Sequence, residues 1–250
     1  VLGMGWGVAL WALHPGLVNS VTFLSSRATL LAAFFLLLSF RCWLGRHYLV
    51  AWLAFLPALA SKETAWVYPA WLVLWTWYER RALSGTRATG PLAIGPLAAV
   101  RGWWPQLPYW GAVGGVAVAY YLWRGGIQAG NPSCHYFSVQ ILAWVWYYAR
   151  FFAWPVGQSI DPVFIAHPGQ HPWLWGGTVL LLAAVVAVAW YRRRTCPGAW
   201  LVVAGTLLWL APDSSVFPQA DLVYERRIYL PALFLALVGG RAIGALSSRY

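Results

Sequence analysis

Apolar residues along this chain gather into stretches at roughly 1–13, 28–40, 48–60, 64–78, 109–123, 139–154, 173–191, 198–211 and 228–240, with most polar and charged residues between them. No run alternates long enough to supply the strands of a barrel, so the stretches predict helices. The shorter ones are about 13 residues long, which at about 1.5 Å per residue gives about 20 Å against a hydrocarbon core of about 30 Å. Such helices must recruit flanking polar residues. Long arginine side chains at their ends can snorkel to the interface at modest cost.

Composition turns these helices into membrane helices. Of 250 residues 61% are hydrophobic and only 9% charged, where a soluble domain carries about a quarter charged residues. Twenty Trp and thirteen Tyr suit aromatic girdles at membrane–water boundaries. The expected fold class is all-α: a polytopic transmembrane helical bundle, one integral-membrane domain over 1–250. Val1 to Leu13 bears no charge, is too short for a full span and lacks a signal-peptide layout. It reads as a first helix that has lost its beginning.

Charge then orients the bundle. Seventeen basic residues, all arginine except Lys62, face six acids, for a formal net charge of +11. Arg41 with Arg46, Arg80 with Arg81, Arg87 and Arg101, and Arg192 to Arg194 mark cytoplasmic loops by the positive-inside rule. The Gly/Pro-rich stretch 84–108 is then a cytoplasmic loop and 124–172 an outer loop. Keeping Arg192–Arg194 inside demands an even number of crossings between Tyr109 and Trp190. The segment 139–154, ending in Trp154-Pro155, is therefore expected to be an interfacial helix on the outer side. On this map Glu63, Asp161, Asp213, Asp221 and Glu225 lie outside and only Glu79 inside. The arginines flank apolar helices instead of lining a phosphate-tracking groove, which excludes a nucleic-acid partner. Cys42 and Cys196 fall on the opposite side from Cys134, so no disulfide is expected. His167 and His171 are four apart, but Pro168, Gly169 and Pro172 forbid a helical zinc face, and no metal site is expected.

Three polar constellations could carry chemistry. His14-Pro15 ends the first helix, and a polar stretch through Asn19, Ser25 and Ser26 leads to Arg27. It is either a capped helix entrance with a snorkelling arginine or an arginine facing a cavity. Ser61-Lys62-Glu63-Thr64 places two charges side by side between apolar stretches. Neighbours on a helix do not face each other, so each charge needs a partner elsewhere: a structural ion pair, or a phosphate held by Lys62 as a point charge. Asp221 to Pro231, with Tyr224-Glu225-Arg226-Arg227-Ile228-Tyr229-Leu230-Pro231 at its end, follows Pro212-Asp213-Ser214-Ser215 and closes a charge-rich outer loop into the last helix.

The ordered set His14-Pro15…Arg27-Ala28-Thr29-Leu30-Leu31-Ala32, Ser61-Lys62-Glu63-Thr64 with Tyr68-Pro69, Asn131-Pro132, Tyr148–Pro155 and Glu225-Arg226-Arg227-Ile228-Tyr229-Leu230-Pro231 resembles the membrane region of polyprenol-dependent GT-C glycosyltransferases. The nearest group is the transmembrane and tetratricopeptide-repeat O-mannosyltransferases and their bacterial relatives. The resemblance implies a GT-C-like helical bundle, partial here, in a bacterial inner (plasma) membrane with its active face extracytoplasmic. It implies transfer of a sugar from a polyprenyl-phosphate carrier, the donor substrate, to an acceptor protein or glycan. Arg27, Lys62 and Arg226 would hold the lipid phosphate, with His14 and Tyr229 beside them, and Glu63 or Glu225 would be the candidate base. The family's acidic catalytic motif precedes its His-Pro block, whereas nothing before His14 is acidic here and Asn19 stands where an acid is common. A non-catalytic membrane scaffold of the same fold is the alternative, and a transporter a more distant one.

Overall fold

In a computed structural model of the chain, the described residues are 2–22, 26–86, 104–123, 134–154, 156, 172–212, 214, 223 and 225–247. Regular structure among them is entirely helical. The α-helices are α1 (Leu2–Leu13), the short α2 (Val18–Thr22), α3 (Arg27–Leu44), α4 (Tyr48–Ser61), α5 (Tyr68–Thr86) and α6 (Leu107–Trp123). After them come α7 (Cys134–Leu142), which continues through a π-helical stretch (Ala143–Ala149) into α8 (Arg150–Ala153), then α9 (Pro172–Tyr191), α10 (Pro197–Ala211) and α11 (Tyr229–Ser247).

Among the described residues two helices are long and apolar enough to cross a membrane: Arg27–Leu44, and Pro172–Arg194, which comprises α9 and the turn after it. Only 11% of the second is buried, and Leu180, Leu181, Val185 and Val188 stand exposed on it. The core helix of a soluble protein would bury those side chains. An apolar face of this size calls for an apolar surrounding, which a membrane would supply.

Antiparallel pairs build the bundle. Ser39 on α3 donates to the Ala51 carbonyl on α4 at 2.7 Å across their hairpin. Helix α1 runs against α11 so closely that a Cβ at Gly7 would lie 3.0 Å from Leu237 Cα. Gly205 of α10 likewise lets Trp71 of α5 approach to 3.0 Å of where its Cβ would be. Phe55, Tyr68 and Tyr109 pack ring on ring at the centre, with centroids 5.1 to 5.7 Å apart.

The helices start and stop where charge was expected to end them less often than the apolar pattern suggests. Helix α5 continues past 78 through Glu79, Arg80 and Arg81 to Thr86, and a 3-10 turn (Trp104–Gln106) leads into α6. Helical structure therefore occupies both ends of the expected 84–108 loop, whose residues 87–103 lie outside the described ones. The helix expected over 139–154 begins five residues earlier, at Cys134. Pro15 does end α1, opening a 3-10 turn over Pro15–Leu17. The expected capped entrance to α3 is different: Ser26 precedes it without a side-chain cap bond, and its buried hydroxyl finds no partner among the described residues.

Candidate functional site

Segments far apart in sequence meet at one end of the bundle, here called the His14 end. The 3-10 turn Pro15–Leu17 and α2 both pack against a second 3-10 turn, Glu225–Ile228, which leads into α11. Helix α2 also touches α3, which in turn touches a third 3-10 stretch, Glu63–Val67. The three polar constellations thus sit on elements that form one continuous contact chain.

Side chains tie these elements together. Helix α4 carries Pro57 in its interior, and Ser61 donates back to the Pro57 carbonyl at 2.6 Å, where the ring denies the ladder a donor. The helix breaks at Lys62, whose extended backbone turns the chain into Glu63–Val67. From that break Lys62 Nζ donates to Thr29 Oγ1 at 3.1 Å, joining the second constellation to the first. The His14 Nε2–H donates to the Phe152 carbonyl at 2.7 Å, and the two rings stack with centroids 4.8 Å apart. Trp11 Nε1–H donates to the Tyr229 carbonyl at 2.8 Å, with the rings in contact at 4.9 Å.

Each expected site residue now has a position. His14, Lys62, Glu63 and Tyr229 are partly buried and Arg27 is exposed. Through these bonds His14 joins α8 to the end of α1, and the Tyr229 backbone joins α11 to it. Glu225 and Arg226 belong to the Glu225–Ile228 turn, and their side chains lie outside what is described. So do Asp161, Asp213, Asp221, Asn131-Pro132, Pro155, His167 and His171, and the side chain of Cys134. Cys42 and Cys196 are free. Among the described residues no three His, Cys, Asp or Glu side chains cluster as a metal site would require.

A second polar group lies at the same end; it joins Arg227 and Ser214 of the third constellation to Gln140 and Trp144, which were not singled out. Arg227 is only 5% exposed, and its Nη1–H donates to Gln140 Oε1 at 3.2 Å. Ser214 donates to the same oxygen at 3.2 Å, and Trp144 Nε1–H donates to Ser214 at 3.0 Å. The signal for it was Gln140, a lone amide inside the apolar stretch 139–154. Gln140 and Phe152 are twelve residues apart, about 18 Å along a helix, yet both bond to groups at the His14 end.

Below this group lies an apolar cavity of about 280 Å³ between α7–α8, α9, α10 and α11, with Trp144, Phe152, Leu181, Val186, Leu210 and Pro231 in its wall. It follows α10 from Leu210 to Val202, about 12 Å of helix. Trp144 therefore has its ring in the cavity wall and its N–H in the polar group. Comparisons with protein-family models, with curated proteins and with solved structures find no match to the chain.

Proposed function

We propose that this chain is the multi-pass membrane bundle of a GT-C-type glycosyltransferase, transferring a sugar from a polyprenyl-phosphate carrier to an acceptor protein or glycan. The His14 end is then the extracytoplasmic face of a bacterial plasma membrane. The 134–153 segment, bonded at both Gln140 and Phe152 to that end, lies along the interface and does not cross the bilayer. One observation supports the reading: the described elements bearing the His14–Arg27, Ser61–Thr64 and Glu225–Tyr229 blocks adjoin one another, with Lys62 bonded to the first turn of α3.

The chemistry follows from the residues available. Transfer leaves negative charge on the carrier phosphate, and cations fixed where that charge develops lower the barrier. Lys62, Arg27 and Arg226 are the candidates for that role. An acceptor hydroxyl needs a carboxylate within hydrogen-bond reach, for which Glu63 and Glu225 are the candidates in this chain. The apolar cavity gives the isoprenoid tail a place out of the bilayer.

The test is transfer of a radiolabelled sugar from a short-chain polyprenyl phosphate by membranes containing the full-length protein. Lys62→Met is expected to cut transfer about tenfold or more, the loss of one charge-assisted hydrogen bond to the leaving phosphate. Wild-type rates in Lys62→Met, Arg27→Ala and Arg226→Ala together would overturn the assignment. Carrier binding without transfer would favour the non-catalytic scaffold.

A further inference from the structure

The opposite end of the seam between α9 and α10 has a separate hollow. It is an open groove of about 450 Å³ walled by Val185, Val188, Ala189, Ala199 and Val203, with Arg192 at its mouth. Its walls hold no polar group other than that arginine. Small side chains on both helices keep the groove open, and Val188 on its rim is 56% exposed.

The three consecutive arginines at this hairpin have different surroundings. Arg193 folds back on its own helix: its Nη1–H donates to the Trp190 carbonyl at 2.8 Å and its guanidinium lies 3.6 Å over the Trp190 ring. It thus satisfies a C-terminal carbonyl and opposes the helix dipole. Trp190 in turn packs edge-on against Trp200 at 5.1 Å, closing the hairpin. Arg194 ends the turn and is exposed there. Arg192 alone combines an exposed guanidinium with the end of an apolar groove.

We propose that this groove binds one acyl chain of an anionic phospholipid in the cytoplasmic leaflet, with the lipid phosphate on Arg192. Charge complementarity selects the occupant. A zwitterionic lipid offers its phosphate beside a compensating cation and gains little from the guanidinium, while a net anionic headgroup gains a full charge-assisted pair at the depth where a snorkelling arginine ends. Exposed Trp190 and Tyr191 at the same level fit an interfacial belt. From Ala184 to Arg192 the groove runs eight residues along the chain, about 12 Å, enough for the upper part of a chain. The proposal rests on the membrane reading of α9 but not on sugar transfer.

The experiment is native mass spectrometry of the full-length protein purified from vesicles of equal phosphatidylglycerol and phosphatidylcholine. The wild type is expected to retain phosphatidylglycerol preferentially, and Arg192→Ala to lower that retention about fivefold. Arg192→Lys should keep most of it and Arg194→Ala nearly all. Val188→Trp, which fills the groove without touching charge, should lower it as well. Unchanged retention in Arg192→Ala, or equal losses in Arg192→Ala and Arg194→Ala, overturns the proposal. Cell fractionation scores the membrane reading separately. A chain that pellets with membranes yet shows no Arg192-dependent retention defeats the groove alone.

Discussion

The two ends of the bundle are held together by different kinds of bond. At the His14 end the side-chain hydrogen bonds span long stretches of sequence: Trp11 to Tyr229, His14 to Phe152, Lys62 to Thr29, Gln140 to Arg227. At the Arg192 end they are mostly local. Arg193 reaches the Trp190 carbonyl and Thr195 the Arg192 carbonyl, and the backbone amides of Gly45, Arg46 and His47 likewise donate back into the last turn of α3. Gln106, which donates to Thr76 across 30 residues, is an exception at that end. Local motifs can form as soon as their hairpin does, whereas the His14 end exists only after every helix has docked. A site made there needs the whole fold, and it is where residues distant in sequence become neighbours.

If that contrast holds, breaking a remote polar link must cost more than breaking a local one. Gln140→Leu removes the acceptor shared by a buried guanidinium and a buried hydroxyl, and is expected to lower stability by about 2 kcal/mol. Thr195→Ala, whose hydroxyl bonds three residues back on an exposed turn, should stay within about 0.5 kcal/mol of wild type. Thermal unfolding in one detergent compares them. Equal losses would erase the distinction between the two ends.

A smaller effect sharpens it. Trp11→Phe keeps an aromatic ring against Tyr229 and deletes only the N–H that bonds the Tyr229 carbonyl. The expected cost is about 0.6 kcal/mol, the usual worth of such a bond between membrane helices. Because α1 is docked on α11 through this pair and the close approach at Gly7, the loss should also speed proteolysis near Leu13. Unchanged unfolding and cleavage would mean that glycine packing alone holds α1.

The same contrast explains what could be read in advance. The helices were legible because each is an apolar run bounded by turn chemistry, and Pro15 stopped α1 as its ring requires. Their far ends were not. Arg41 lies within α3, and Glu79, Arg80 and Arg81 within α5, because a helix continues through charges once they reach solvent or headgroups. In the candidate site, Lys62 was marked as needing a partner outside its own segment, but Thr29 could not be named. The pairing depends on how α3 is rotated in the bundle. The inward turn of Arg227 was not legible either, because which residue of a four-residue turn points into the bundle is set by the phase of that turn.

The turn after α3 supplies the smallest effect and the most local. His47 N–H bonds the Cys42 carbonyl and Arg46 N–H the Trp43 carbonyl, both at 2.9 Å, the pair of bonds that closes a Schellman motif. Glycine normally fills the left-handed position of this motif, and Gly45 is one residue too early to do so. Gly45 has φ −76°, and Arg46 takes the left-handed conformation at φ 61°. A side chain there costs about 1–2 kcal/mol, while glycine gives back about 0.5–1 kcal/mol through the freedom of the unfolded chain. Arg46→Gly is therefore expected to stabilise the protein by about 0.5 kcal/mol, read as a slight rise in unfolding temperature. Because the bonds of this hairpin are its own, the gain should persist unchanged in a Gln140→Leu background. Coupling between the two substitutions would show that the ends of the bundle are not independent.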